Sequence, residues 1–480
     1  MQKKYLVFPD DMEVIMSSYQ LSSWFNVKKT LLEEHRIQEP LIWTYRDTTV
    51  DIHDRDVLTK FQRHLMDEYD LEGVKIINEI FVELDNFEKR TILTSYPVNL
   101  QIEHTNICNA KCIMCSHCFT KNHGAKNMSD TDLKGLEEIL PYVKHVTLHG
   151  MGEPFLYFNI IEILKMYHSY GIKVTCNTNA SIMNEELAEL IHKCFYDIAV
   201  SCDACTKETY EHIRKGLSFN KFIDNVKLLR SKGKKLHMRL SAVAMRQNLQ
   251  ELPGIVFLAA ELGFQEVLFV DVTTQRLLEN EKDCLLLYPV AAKYYLKKAE
   301  EEGSRWGISV KIPDYIMSVP NTSSLEDDII KIQSTPFYKE DGFTENLYKR
   351  YEQAKFIDPL VHATEENFVV PSEYTCNGIC DFVLERPFIN VNGDVFMCCT
   401  NWMHTIGNIY KDGGFKAVWN GEIMRSIRKM FYDGYVPKYC VGCIFLRNNM
   451  MCKRIRLTNF TEAFYQHNYD DEVSKLLEGY

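Results

Sequence analysis

From about residue 96 the chain alternates strand-like and helix-like stretches without interruption, and that rhythm limits the fold more than any other feature. VNLQIE, HVTLH, IKVTCN, DIAVS, MRLSAVAM and EVLFV read as six strands: short, apolar-rich and dense in β-branched residues. Between them, MSDTDLKGLEEILPYV, IIEILKMYHSYG, NEELAELIHKC, FNKFIDNVKLLRSKG and LPGIVFLAAELG place apolar residues at helical spacing. Several of these helices end in glycine, which stops a helix by accepting a left-handed backbone. Repeated strand–helix units imply a parallel sheet, because each helix carries the chain back to the starting edge. Ligands then sit at the carboxyl ends of the strands. Six such units make a partial, open α/β barrel, (β/α)6.

The flanks differ in character. Residues 1–95 form an N-terminal extension of mixed short helices and strands, with helical spacing in LTKFQRHLMDEYDLEGVKIINEIFVEL and no chemical motif. After the six units, AAKYYLKKAEEEG reads as a helix and GISVKIP as a short strand. These readings divide the chain into 1–95, a barrel at 96–317, an insertion or linker at 318–372, and a cysteine-rich region at 373–480. A length of 480 residues fits roughly two to four domains. The net charge of −11, without a long basic run, argues against nucleic acid as the main partner. No apolar stretch reads as a signal peptide or approaches a membrane span. Sixteen cysteines in a chain of this kind point to a reducing, cytoplasmic setting and to metal rather than disulfides. Aromatic content of 12% reads as large cores rather than an aromatic substrate cage.

The first chemical signal follows the first strand. Cys108, Cys112 and Cys115 stand in NLQIEHTNICNAKCIMCSHC as C-x3-C-x2-C, on a loop at the strand's carboxyl end. Three thiolates at this spacing can wrap one corner of an iron–sulfur cube and leave the fourth iron open, whereas a closed electron-transfer cluster uses four cysteines. Thiolates also suit zinc, so spacing alone leaves that alternative standing.

Further candidates lie at later strand ends. The second strand runs into LHGMGEP, where Gly150 and Gly152 permit close backbone approach, Met151 lies between them, and Glu153 offers a carboxylate to an ammonium group. The third ends in Asn177, Thr178 and Asn179, able to bond a ribose or substrate, or simply to make turns. Ser201 and Asp203 close the fourth strand in AVSCDACTKETYEHIRKGLSFNKFIDNV. On the fifth, Arg239 can grip a carboxylate in bidentate fashion, or serve as an ordinary ion-pair residue. Ser241, two residues on, faces the same side as Arg239.

The triplet, the glycine–acid turn and the S-x-D strand with its IR-x-G segment resemble the radical S-adenosylmethionine (radical SAM) superfamily. The turn departs mildly from the commoner glycine pair, reading GMGE. The C-terminal region extends the resemblance. Cys380 is followed by RPFINVNGDVFMCC with Cys398 and Cys399, then by IGNIYKDGGFKAVWNGEIMRSIRKM, then by Cys440 and Cys443 in CVGC. This order resembles a SPASM domain in its shorter form. The Asn-Gly pair of VNGD supplies the hairpin turn.

The resemblance implies that Cys108, Cys112 and Cys115 hold a [4Fe–4S] cluster whose open iron chelates S-adenosylmethionine. Reductive cleavage of that molecule releases a 5′-deoxyadenosyl radical, which takes a hydrogen atom from a substrate carbon. On the same resemblance Gly150, Met151, Gly152, Glu153, Ser201 and Asp203 face the cofactor, and Asn177, Arg239 and Ser241 are candidates for it by their strand positions and side-chain chemistry. Cys380, Cys398, Cys440 and Cys443 close one auxiliary [4Fe–4S] cluster, with zinc as the alternative occupant. Cys376, Cys399 and Cys452 complicate the count. Of the remaining cysteines, Cys202 and Cys205 are candidates to donate a hydrogen atom to a substrate radical, while Cys118 and Cys284 read as inert. His104 and His117 read as packing or hydrogen-bonding residues. The expected electron donor is a flavodoxin or ferredoxin.

Two substrate classes are open. One is a sugar or cyclitol, oxidised or epimerised. The other is a ribosomally made peptide, cross-linked or epimerised. Peptide-modifying members of the family often carry a small N-terminal helix–strand module that grips a leader peptide, and residues 1–95 show no clear match to it. That mismatch and the short auxiliary domain favour the small molecule. A non-catalytic electron-transfer or sensor protein is the alternative from another class.

Overall fold

The computed structural model describes residues 42–45, 48–51, 54–115, 124–272, 283–334, 375–377, 379–399, 405–435, 440 and 456–458. All six expected strands are present: β1 (Asn99–Ile102), β2 (His145–Thr147), β3 (Lys173–Thr175, resumed at Asn177–Thr178), β4 (Asp197–Ser201), β5 (His237–Ala244) and β6 (Glu266–Asp271). They pair in parallel in chain order. The interruption of β3 at Cys176 divides the ladder: its first half pairs β2 and its second half pairs β4. The strand expected in GISVKIP joins the same array as β7 (Ser309–Lys311), parallel to β6, so the barrel gains a seventh short strand beyond the six anticipated.

The faces of β5 show how the sequence builds the wall. Met238, Leu240, Ala242 and Ala244 are buried, whereas His237, Arg239, Ser241 and Val243 alternate with them at intermediate or full exposure. Period-two alternation sends the first set into the helix layer and the second into the concave interior. The helices answer with apolar stripes, such as Leu187, Ala188, Leu190, Ile191 and Cys194 of Glu185–Cys194, which is capped by the Asn184 side chain on Leu187 N at 2.8 Å. One expected helix is cut short. MSDTDLKGLEEILPYV forms only Asp130–Lys134 and a single tight turn at Leu140–Tyr142. Gly135 and Pro141 weaken its interior.

The C-terminal region continues the sheet of the barrel. β8 (Phe388–Ile389) runs parallel to β1 on its free edge, followed by antiparallel β9 (Asp394–Phe396) and β10 (Thr405–Asn408). Gly393, at φ 79°, takes the left-handed position after a turn closed by Gly393 N donating to Asn390 O at 2.9 Å. The helix Glu422–Tyr432 then clamps the segment that enters β1. Arg428, fully buried over the Trp419 ring, donates to Thr91 O and Val383 O at 3.0 Å, and Asn420 bonds both Leu93 N and Leu93 O.

Ahead of the barrel, an antiparallel hairpin (Ile42–Tyr45 with Thr48–Asp51) leads to the helices Arg55–Asp67 and Leu71–Phe87, which share a small core of Leu58, Phe61, Leu65, Val74, Ile77 and Phe81. Helix Leu71–Phe87 docks on the barrel through buried polar side chains. Lys75 reaches Tyr170 O, Asn78 brackets Tyr96, Glu79 pairs with Lys144, and Asp85 accepts from Thr94 N and Ser95 N. Beyond the barrel, Asp328 of helix Leu325–Ser334 caps helix Pro289–Trp306 through Val290 N and Ala291 N. This part of the 318–372 stretch therefore packs on the barrel.

Candidate functional site

The cysteine loop leaves β1 at its carboxyl end and is held on three sides. Asn106 exchanges hydrogen bonds with Lys126, and Thr105 bridges Asn127. Lys111–Cys112 forms a two-residue antiparallel pair with Arg214–Lys215, extended by Ile113 N donating to Ile213 O at 3.0 Å. Gly216, at φ 92°, lies beneath Asn109, where a Cβ would come within 3.0 Å of Asn109 O. The IR-x-G segment is thus a staple for the loop, which explains its sequence.

Within the loop the three thiols influence one another electrostatically. Burial pushes Cys108 up to about 11 and Cys112 up to about 12, and Cys115 adds to both. Arg214 opposes these shifts. It is buried, its Nη1 is 3.8 Å from Cys112 Sγ, and its Nε is 2.8 Å from Asp203 Oδ2. Burial alone lowers its pKa, but Asp203 and Cys112 more than offset that, so it stays charged. Buried thiols beside a fixed cation suit a ligand that takes thiolates. Among the described residues, no three His, Cys, Asp or Glu groups converge as ligands of a single ion would. A [4Fe–4S] cube would spread its thiolates over different irons, so that absence does not bear against one.

The glycine–acid turn lies directly on this loop. A Cβ on Gly152 would fall within 2.8 Å of backbone atoms of Thr105, Asn106 and Ile107, and one on Gly150 would overlap the Glu103 carboxylate. Both glycines are therefore required first by the protein's own packing, and not only by a ligand. Glu153 differs from its expected role. It is buried, and its carboxylate accepts from Thr178 Oγ1 at 2.6 Å, Asn179 N at 2.7 Å and Phe155 N at 3.3 Å. It bolts the end of β3 to the turn, and burial raises its pKa against those bonds. Asn179 also reaches Asn109 of the cysteine loop at 3.1 Å, so Thr178 and Asn179 serve the turn and the loop.

Other expected residues are distributed as follows. Ser201 and Ser241 are direct register partners on β4 and β5, at the carboxyl end and on the interior face. Asn177 is exposed on the same face, one strand over, and its backbone N donates to His149 Nδ1 at 3.1 Å. Met151 sits in the turn with its N bound to Glu103 Oε1 at 2.5 Å.

Asp203 departs from expectation, and Arg239 takes the ion-pair alternative. Asp203 is fully buried and committed to Arg214 and to Val243 N at 2.7 Å, so it braces the fold instead of facing a ligand. Arg239 lies deeper in the barrel than Ser241, paired with Asp197 at 3.0 Å and Glu266 at 3.6 Å, and this leaves its guanidinium engaged by acids. The hydrogen-donor candidates also turn away from the interior. Cys202 is fully buried and donates to Ala204 O, and Cys205 packs against Gly254 of helix Leu252–Glu261. His104 is buried with Nε2 at 2.9 Å from Tyr167 OH.

Four residues escaped the sequence reading: Glu103, Asn109, His149 and Arg214. Only Arg214 had a local signal, its place in the IR-x-G segment. His149 is held with Nδ1 as acceptor, which leaves the proton on Nε2, and burial together with Arg239 lowers it to about 4, so it is neutral near pH 7.

In the C-terminal region Cys380 and Cys398 are buried, Cys399 is partly buried and Cys440 is buried. Cys118, Cys443, Cys452 and His117 lie outside the described residues, as does the side chain of Cys376, whose backbone strand Thr375–Asn377 pairs with Arg456–Thr458.

Residues 102–259 match the family model of the radical SAM superfamily. Residues 380–444 match that of SPASM, an iron–sulfur cluster-binding domain. The chain therefore carries a radical SAM domain and, after it, a SPASM domain. Those domains bring S-adenosylmethionine and [4Fe–4S] clusters as cofactors. AdoMet-dependent heme synthase of Methanosarcina barkeri is 24% identical over 175 residues, covering 36% of this chain and 49% of that protein. Mycofactocin maturase MftC of Mycolicibacterium smegmatis is 24% identical over 172 residues, covering 35% and 43%. The crystal structure of Streptococcus suis SuiB bound to precursor peptide SuiA superimposes with a TM-score of 0.48 at 15% identity, over 85% of this chain and 80% of that one. The chain spans about half the length of the curated relatives it matches. Among the described residues, no helix is long and apolar enough to cross a membrane.

Proposed function

We propose that the protein is a radical SAM enzyme that abstracts a hydrogen atom from a ribosomally made peptide and thereby cross-links or epimerises it. When bound at the open iron of the first cluster, S-adenosylmethionine supplies the radical for that step. The chain supplies position. Cys108, Cys112 and Cys115 hold the cluster on a loop stapled by Arg214–Lys215. The Gly150–Gly152 turn, fixed by Glu103 and Glu153, stands beside it. Ser201, Ser241 and Asn177 line the interior as polar contacts, with His149 bonded to Asn177 N beside the turn. The C-terminal cysteines hold an auxiliary cluster, and a flavodoxin- or ferredoxin-type protein delivers the electron in a reducing cytoplasm.

The peptide reading takes precedence over the sugar or cyclitol expected from sequence. The observation that carries it is the N-terminal hairpin with its two docked helices. Ile42–Tyr45 and Thr48–Asp51 form an antiparallel hairpin, a shape to which an extended peptide can add as a further strand. The similarity to a curated maturase, MftC, supports the same reading. The test is deuterium transfer into 5′-deoxyadenosine. Label arriving from Cα- or Cβ-deuterated peptides supports the proposal, and label arriving only from deuterated sugars or cyclitols overturns it.

A further inference from the structure

We propose that Glu103 ties the SPASM hairpin to the S-adenosylmethionine turn, so that cofactor binding and the order of the hairpin are thermodynamically coupled. The inference rests on the reading of Gly150–Gly152 as the cofactor turn and adds a positioning residue to it. Three elements meet at this side chain. Oε1 accepts from Met151 N of the turn at 2.5 Å, and Oε2 accepts from Val391 N of the hairpin at 3.4 Å. The backbone of the same residue donates from N to Ile389 O at 2.9 Å, completing the parallel pairing of β8 with β1. Glu103 is 4% exposed, so it is not a surface acid that happens to lie nearby. Gly150 lacks the Cβ that would displace the carboxylate, so the turn is shaped around this group.

The two acceptor oxygens are what make the link. A carboxylate can receive one N–H from each side at once, whereas an amide has one acceptor oxygen and turns its NH2 toward the second donor. Moving the turn to receive a ligand therefore moves a group that the hairpin also holds, and linkage makes the effect reciprocal. The auxiliary domain in this way stabilises the geometry of the first site through a contact that no cysteine makes. Glu103 acts through Met151 and Val391 and touches neither cluster in this account.

The test uses the full chain, anaerobically reconstituted, with S-adenosylmethionine itself as the probe. Two readouts are taken: cofactor Kd by equilibrium dialysis, and hydrogen exchange of peptides spanning 148–156 and 386–398. In the wild type, cofactor is expected to slow exchange in both peptides. In Glu103→Ala the Kd should rise at least tenfold and protection of 386–398 should vanish. Glu103→Gln keeps one acceptor, so it is expected to bind within about threefold of wild type while losing the transmitted protection. If Glu103→Ala does not fold, the Gln variant decides alone. Wild-type binding with unchanged exchange at 386–398, or equal protection in Glu103→Gln, overturns the coupling. Failure of the wild type to bind S-adenosylmethionine at all sinks the cofactor-turn reading instead.

Discussion

The two cysteine regions of this chain solve the same problem in opposite ways. The first places Cys108, Cys112 and Cys115 on one short loop and fastens it from outside, with Asn106, Arg214 and Gly216 as the fasteners. The second spreads Cys380, Cys398 and Cys440 across a helical turn, the end of a hairpin and the far side of a helix. On the proposed reading the fold fastens the first set of ligands from outside, whereas the second set comes from elements distant in sequence that a metal centre would help to hold together. The difference teaches where rigidity is built: the loop proposed to perform chemistry is braced by the protein itself.

Breaking each region separately gives the largest effects. Cys112→Ala should remove about four irons per chain and leave the auxiliary centre, because a cube has four irons. Cys380→Ala with Cys398→Ala should remove a similar number and leave the first cluster. Iron analysis with EPR of the reduced proteins reads both, and loss of all iron in either variant would show that the two regions are not independent.

The next effect concerns the fasteners. Arg214→Ala strands the buried Asp203 carboxylate, which costs about 3–5 kcal/mol where a buried pair loses one partner. A lower thermal midpoint is expected, with partial recovery in Arg214→Lys, which keeps the charge but not the planar fork. An unchanged midpoint would remove Arg214 from the account. Gly152→Ala should be milder, about 1–3 kcal/mol of overpacking, because its Cβ meets backbone of the cysteine loop. Its signature is weakened S-adenosylmethionine binding measured by dialysis at unchanged iron content. Smallest are Arg239→Ala and Cys205→Ala, each expected to leave cofactor Kd within about twofold, since Arg239 is paired with Asp197 and Glu266 and Cys205 packs against Gly254. A tenfold loss in Arg239→Ala would restore its sequence-based assignment to the cofactor.

What the sequence made legible was local. The cysteine triplet, the strand ends and the order of the barrel strands follow from spacing and period, and the structure keeps them. What it hid was the partner of each polar group. Asp203 looked free because Arg214, which occupies it, lies on another element, and the ion pair left open for Arg239 could not be given partners because Asp197 and Glu266 lie on other strands. Glu153 looked like a ligand for an ammonium group because the β3 end that consumes its oxygens is 25 residues away along the chain. Glu103 gave no signal at all, because one of its two contacts is 288 residues distant. The seventh strand was read as a strand but not as part of the barrel, since three residues carry too little period to fix their place in a sheet.

The central claim is that the open corner of the first cluster cleaves S-adenosylmethionine. The direct measurement is 5′-deoxyadenosine formed by the reduced, reconstituted protein, compared with the Cys108→Ala, Cys112→Ala, Cys115→Ala triple variant. Product from the wild type and none from the variant is the expected result. An intact cluster that yields no 5′-deoxyadenosine under any reductant would contradict the account and leave an iron–sulfur protein without turnover.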